Sequence, residues 1–301
     1  NANLIDADLS DIDLTGVKLR GADLTNANLI DADLSDIDLT GVKLTGADMS
    51  NSNLTGVNLS GMNLTGVKFR NMDLTDHGLT GTILIGADLT NAVLPSDYLS
   101  ENDFTDAVFD GVNLSGKKIS NSDFSFVSFK NTNMEDMVLQ NLRFLGVDFT
   151  KIKNKSLTET TGFRVSFAHA NLTDVNLDNS KLENANFQNA DLTEQDFTNN
   201  ITIIGGDFLS AELSKANFDG TDFGLWTTSR TFENQGYVIK DILDSPGELR
   251  TAIEDELFHL TPGTKNITML MEVNLVGDDV VVKYGKLNNF SKANLENASF
   301  K

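Results

Sequence analysis

Three histidines, many serines and threonines, and runs of aspartate are the side chains in this sequence that could do chemistry. His77, His169 and His259 lie far apart, and no Ser, His and Asp set can be nominated from spacing. The hydroxyls recur at fixed places (Ser10, Thr15, Thr25, Ser35), where they suit a turn better than a nucleophile. There is no G-x-x-x-x-G-K-[ST] loop to cradle a phosphate. With no cysteine, a thiol nucleophile, a disulfide framework and a Cys-ligated zinc are excluded. Asp6, Asp8, Asp11 and Asp13, echoed as Asp31, Asp33, Asp36 and Asp38, raise the question of calcium. That ion wants about six to eight oxygens converging in one loop, whereas these carboxylates are spread along outward places. No catalytic residue, metal ligand or cofactor is therefore assigned. The Asn-Leu-Thr sequons at Asn53, Asn63 and Asn171 follow from the repetition of the sequence itself.

What the aspartates do supply is charge. The 301 residues carry 44 acidic and 23 basic side chains, a formal net charge of -21. Such a chain repels nucleic acid and anionic membrane and attracts basic partners. No run approaches the roughly 18 apolar residues of a membrane span, and no signal peptide opens the chain. A cytoplasmic location is the expectation.

The element that must position these groups is set by a period of five. From Leu4 to Phe149 every residue whose number ends in 4 or 9 is apolar, 30 in succession. Leu4, Leu9, Leu14, Leu19 and Leu24 begin this column, and Phe104, Phe109, Phe124, Phe129 and Phe149 carry it later. Two residues earlier runs a second small or apolar set that includes Ala2, Ala7, Ile12, Val17 and Ala22. Five matches neither a helix nor a long strand, so each unit must join a short extended piece to a corner. In Ala22-Asp23-Leu24 the outer two side chains point inward and Asp23 points out. The corner residue, numbered in 1 or 6, is Gly, Asn or Asp at 27 of 31 places up to Lys151. Those types tolerate positive φ. Ser96, Glu101, Phe126 and Lys151 are the exceptions, and Phe126 is expected to be strained or to adopt a different corner.

The motif A-(D/N)-L-(S/T)-X, seen in Ala2-Asn3-Leu4, Ala7-Asp8-Leu9, Ala87-Asp88-Leu89-Thr90 and Ala190-Asp191-Leu192-Thr193, resembles the pentapeptide-repeat family. The resemblance implies an all-β fold, a right-handed quadrilateral β-helix with four pentapeptides per turn. At that offset Asp13 stacks on Asp33, while Asp8 meets Asn28 and Asp23 meets Lys43.

The sequence divides into an uninterrupted coil over 1-153, a loop over 154-164, continued coil over 165-225, an insertion over 226-267 and a return to repeats over 268-301. A one-residue slip is read near Ile201-Gly206. Within the insertion, Ser245-Pro246-Gly247-Glu248 has a capping-box form, and Leu249, Ala252, Ile253, Leu257 and Leu260 fall on one helical face. One amphipathic helix at about 246-260 is expected there. Leu270, Leu275, Val280, Phe290, Leu295 and Phe300 read as the resumed column. Neither end carries an obvious cap, which makes end-to-end association or membership of a longer array an expectation.

These features describe a non-enzymatic, acidic interaction scaffold for a protein with a basic surface, with no direct contact to nucleic acid or membrane. Residues 1-50 hold ten Asp against Lys18, Arg20 and Lys43, about one charge per 1.7 Å of coil, a density near that of duplex DNA. The family resemblance accordingly implies, as its sharpest version, a DNA mimic protecting a type II topoisomerase. The alternative is a targeting or substrate-recognition region of a larger bacterial secreted effector. Candidate partner-binding residues are Asp6, Asp8, Asp11, Asp13, Asp31, Asp33, Asp36, Asp38 and, in the insertion, Trp226.

Overall fold

The computed structural model describes residues 2-95, 99-219, 221, 226-232, 269-276, 279-286, 290, 292-296 and 298-299. The fold is a four-sided parallel β-solenoid. Short extended pieces pair in parallel with pieces 20 residues away: Asn3 with Asp23 on one side, Asp8 with Asn28 on the next and Asp13 with Asp33 on the third. The fourth side carries β1 (Leu99–Ser100), β2 (Lys118–Ser120), β3 (Val138–Gln140), β4 (Thr161–Phe163), β5 (Lys181–Glu183) and β6 (Thr202–Ile204), stacked in sequence order.

Backbone bonding explains why the period is strict. The outward Asp23 N donates to Ala2 O of the preceding turn at 3.0 Å, and the inward Leu24 N donates to Lys43 O of the following turn at 2.8 Å. At the corner, Ala27 N donates to Leu24 O at 3.0 Å, closing a β-turn, and Asn26 N reaches Thr45 O at 2.9 Å. Each five-residue unit thereby satisfies its own donors.

The corner residues adopt the left-handed conformation expected of them: φ is 55° at Asp6, 57° at Asp11, 58° at Asp31 and 57° at Asp36. Their side chains lean over the next turn. A Cβ on Gly46 would lie 2.3 Å from Asn26 Oδ1, so a larger residue there would have to displace the Asn26 side chain. Where the next corner is itself Asn, the amides ladder instead, as Asn91 Nδ2 does to Asn71 Oδ1 at 3.1 Å. Phe126 has φ 60°, which costs a bulky L-residue about 1-2 kcal/mol. Glu101 also has φ 60°, Lys151 closes a 3-10 turn instead, and Ser96 lies outside the described residues.

The interior is the double column read from the period. Leu14, Leu19, Leu24, Phe104, Phe109, Phe124, Phe129 and Phe149 are buried, and Leu4 and Leu9 are half-buried against them. Ile12 and Val17, read as inward, remain 41% and 43% exposed, because a described turn covers them on one side only. His77 is buried with Nδ1 2.8 Å from Val57 O, a satisfied interior histidine. His169 is a corner residue with φ 57° and Nε2 3.4 Å from Asn189 Nδ2, while His259 lies outside the described residues.

The expected loop over 154-164 is corrected. The pairing offset changes from 20 to 23 residues, as in Val138 with Thr161 and Arg143 with Ser166, so three residues are added to one turn. Two 3-10 pieces, Phe149–Lys151 and Lys153–Lys155, absorb them, and the coil resumes at Ser156, paired with Asn176. Leu157 and Gly162 then hold column places. Gly162 escaped the apolar count because its neighbours fill the space: a Cβ there would meet Leu182 Cδ2 at 2.9 Å. The one-residue slip is present, since Lys181 pairs with Thr202 and Asn186 with Asp207, an offset of 21.

The return to repeats at 268 is also corrected. β8 (Met269–Val276) and β9 (Asp279–Lys286) are antiparallel, and β7 (Trp226–Phe232) pairs with the other edge of β9. In this register Leu270 faces Gly285 and Leu275 faces Val280 across the pair. Their spacing of five is a consequence of hairpin register, not of a column. The solenoid resumes only at Phe290, whose ring stacks 4.7 Å from Phe208, with Asn294 paired to Glu212 and Ser299 to Asn217. The excursion is therefore longer than the sequence suggested. Its expected helix at about 246-260, with Phe223 and Phe300 of the column, lies outside the described residues.

Candidate interaction surface

The nominated aspartates divide into two structural kinds. Asp8, Asp13, Asp33 and Asp38 are the outward middle residues of extended pieces, and each carboxylate caps the turn that follows. Asp13 Oδ1 accepts from Thr15 N at 2.8 Å and from Thr15 Oγ1 at 2.7 Å. Asp8 does the same with Ser10, while Asp33 and Asp38 accept from the backbone N of Ser35 and Thr40 at 2.9 Å. The recurrent hydroxyl after each column residue is thus a turn element, as its position implied.

Hydrogen bonds to the charged form hold these carboxyls below the usual range. For Asp13 the Thr15 hydroxyl and amide lower the pKa, opposed by desolvation and then by the Asp33 charge on the adjacent turn. Thr15 and Ser35 supply the main effect at Asp13 and Asp33, and Thr40 does so at Asp38. Asp23 falls furthest, to about 2, through the Thr25 hydroxyl and then Lys43, whose Nζ lies 2.9 Å from Asp23 Oδ2. Asp6, Asp11, Asp31 and Asp36 form the second kind, the left-handed corners, all exposed.

The fold brings five of the eight together. Asp8 lies on the second side, Asp13 and Asp33 are stacked on the third, and Asp11 and Asp31 form the corner between those sides. Among the described residues none of these five makes an ion pair. The pairs lie elsewhere: Lys43 with Asp23, Lys68 with Asp48, Arg70 with Asp88 and Arg143 with Asp123. Asp6 stands at the preceding corner, Asp36 at the following one, and Asp38 on the fourth side, where Lys18, Lys118 and Lys181 also occur. Trp226 belongs to another element altogether, as the first residue of β7 in register with Lys286.

Residues not nominated extend the same two sides. Asp48 and Asp88 continue the second side, where Lys68 and Arg70 pair with them, and Asp73 continues the third, so basic side chains break the acidic edge beyond the duplicated segment. Applying the 20-residue offset to every aspartate would have found them. Asn28 and Asn53 are neutral rungs between carboxylates: Asn28 Nδ2 donates to Asp8 Oδ1 and Asn53 Nδ2 to Asp33 Oδ1, each at 3.0 Å.

Comparison with known proteins follows the same repeat. The family model described as Pentapeptide repeats matches in 8 copies over residues 1-36, 32-71, 118-153 and 163-199. No curated protein matches the sequence. Among solved structures, the chain is similar to HetL, a pentapeptide repeat protein involved in heterocyst differentiation regulation from the cyanobacterium Nostoc sp. strain PCC 7120. That match has 24% identity and a TM-score of 0.24, and covers 74% of this chain and 83% of HetL. It is also similar to full-length QnrB1, a plasmid-mediated fluoroquinolone resistance protein, with 14% identity and a TM-score of 0.26 over 82% of this chain and 100% of QnrB1. Rfr23, a pentapeptide repeat protein from the cyanobacterium Cyanothece 51142, matches at 23% identity and a TM-score of 0.14, covering 44% of this chain and 83% of Rfr23. None of these superpositions is close, and the family assignment rests on the repeat itself. With its five-residue period, four-sided coil and eight matched repeat copies, the chain belongs to the pentapeptide-repeat family.

Proposed function

We propose that the solenoid is a non-enzymatic interaction scaffold whose edge of Asp8, Asp11, Asp13, Asp31 and Asp33 receives a basic protein surface. One observation carries this reading: four exposed carboxylates and the half-buried Asp33 share one edge without an ion pair among the described residues, while Asp23 and Asp48 are paired with Lys43 and Lys68 within the coil. Rim charges of this kind steer association and set its salt dependence more than they set affinity. The sharper version is a DNA mimic that occupies the DNA site of a type II topoisomerase.

The chain itself supplies the conservative test. Asn serves at equivalent corners, as at Asn26 and Asn51, and Asn53 caps Thr55 through N and Oγ1 at 3.1 and 2.7 Å. Replacing all five aspartates by Asn therefore removes charge and keeps the fold. Wild-type protein is expected to slow DNA gyrase supercoiling in a salt-sensitive way, and the five-Asn variant is expected to lose that effect. If wild type leaves gyrase untouched, the mimic version fails. If proteins captured from bacterial and host lysates at physiological salt bind the five-Asn variant equally well, the acidic edge is not the interface.

A further inference from the structure

Phe126 occupies a left-handed corner at φ 60° with 55% of its surface exposed. Most described corners hold Gly, Asn or Asp, a few hold Glu, Arg, His, Ser or Lys, and Phe126 is the one apolar side chain among the described positive-φ residues. Its ring lies over the following turn: a Cβ on Gly146 would be 2.6 Å from Phe126 Cε1 and 2.8 Å from Cδ1. Covering a corner glycine does not call for an aromatic, because Asn26 covers Gly46, Asp36 covers Gly56 and Asn91 covers Gly111 in the same way. Any of those residues would hold the corner without the backbone strain of a bulky side chain. Strained residues that local packing does not explain cluster at binding sites.

The surroundings indicate what would bind. The ring leans on backbone at one side and is open to solvent at the other. One turn earlier in the same corner column stands Asp106, exposed, with φ 59° and no ion pair among the described residues. Corner side chains such as Asn26 and Asp36 cover the next corner along the column, and Asp106 holds that place one turn before Phe126. Leu145, half-buried, continues the apolar rim, its O accepting from Phe126 N at 2.8 Å. An open aromatic face beside a carboxylate is the complement of a guanidinium, which stacks on the ring and forms an ion pair at its edge.

We propose that Phe126 and Asp106 form a docking point for an arginine side chain of a protein partner. This surface is separate from the acidic edge around Asp31, and its test is arranged to fail independently. Peptides selected from a random twelve-residue library against the wild-type chain are expected to contain a required arginine. Its replacement by citrulline, which keeps shape and removes charge, should weaken binding at least about tenfold. The same peptides should lose binding to Phe126→Asn, a variant expected to unfold at a higher temperature than wild type because the corner strain is relieved. Asp106→Asn should weaken them and flatten their salt dependence. The five-Asn variant of the acidic edge should bind them unchanged. Peptides that bind Phe126→Asn as tightly as wild type, selected pools with no arginine requirement, or no selectable binder would each overturn the proposal.

Discussion

The turns up to Pro95 and the turns from Phe104 onward share one backbone and fill it differently. In the early turns the first column is Leu4, Leu24, Leu44, Leu64 and Leu84; in the later turns the same places hold Phe104, Phe124, Phe144, Phe167, Phe187 and Phe208. The rings stack along the axis with centroids 4.7 Å apart for Phe104 and Phe124, 5.4 Å for Phe124 and Phe144, and 4.8 Å for Phe187 and Phe208. Those separations approach the spacing of hydrogen-bonded strands, about 4.8 Å, so a ring per turn is commensurate with the coil. Both halves keep the same corners and ladders. The backbone period selects the fold, and the filler needs only apolar volume.

The largest effect that could break this equivalence is a charge in the column. Phe124→Asp is expected to cost about 4 kcal/mol or more, because an aromatic cluster with Phe104, Phe109, Phe129 and Phe144 leaves no water for the carboxylate. Solenoid stability is close to a sum over neighbouring turns, so amide exchange should report the later turns opening while the early ones stay protected. Uniform loss of protection would mean that the two halves fold as one unit. Truncation is the next largest change. Phe144→Ala should cost about 3-5 kcal/mol, and Leu64→Ala a smaller amount within about 2-5 kcal/mol, read as shifts in denaturant midpoint. Equal costs would show that ring stacking adds nothing to burial.

Corners should separate by what leans over them. Gly46→Ala meets Asn26 Oδ1 at 2.3 Å in addition to its φ of 73°, whereas a Cβ on Gly16, φ 72°, meets nothing within 4 Å. The first should therefore cost more than the roughly 1-2 kcal/mol of the second, measured as a difference between thermal midpoints. The smallest effect is acid sensitivity. Carboxyls with depressed folded pKa stabilise the coil fully above their ordinary value, 3.8, and lose that contribution as pH falls toward about 2 at Asp23. Some later caps are Asn and do not titrate, as Asn171 for Thr173 and Asn186 for Gln188. On acidification, amides of Thr15, Thr25 and Ser35 should therefore exchange before those of Thr173 and Gln188. The reverse order would remove the carboxylate caps from the account.

Much of this was legible because a repeat states the same local rule many times. The inward pair, the left-handed corner and the strain at Phe126 each depend on a tripeptide and its turn, and Asp23 between Ala22 and Leu24 already shows them. Gly162 was illegible because a column place can be filled by the side chains of Leu182 and Val165 instead of its own. The excursion was misjudged for a different reason. Met269, Met271, Val273 and Leu275 alternate with a period of two, yet Leu270, Leu275 and Val280 also fit five, and only strand pairing decides between those readings.

The sequence by itself determined the coil, since a period of five with small or apolar residues in two places admits few ways to satisfy both burial and backbone hydrogen bonds. The 20-residue offset that the family resemblance implies already stacked Asp13 on Asp33 and set Asp23 against Lys43. The tertiary structure alone decided where that offset first changes, which arginine reaches which aspartate, and where the Phe126 ring rests. Those outcomes depend on the offset between turns, which shifts by three residues after Phe149 and by one before Ile203. An offset is a relation between distant parts of the chain, and no single repeat contains it.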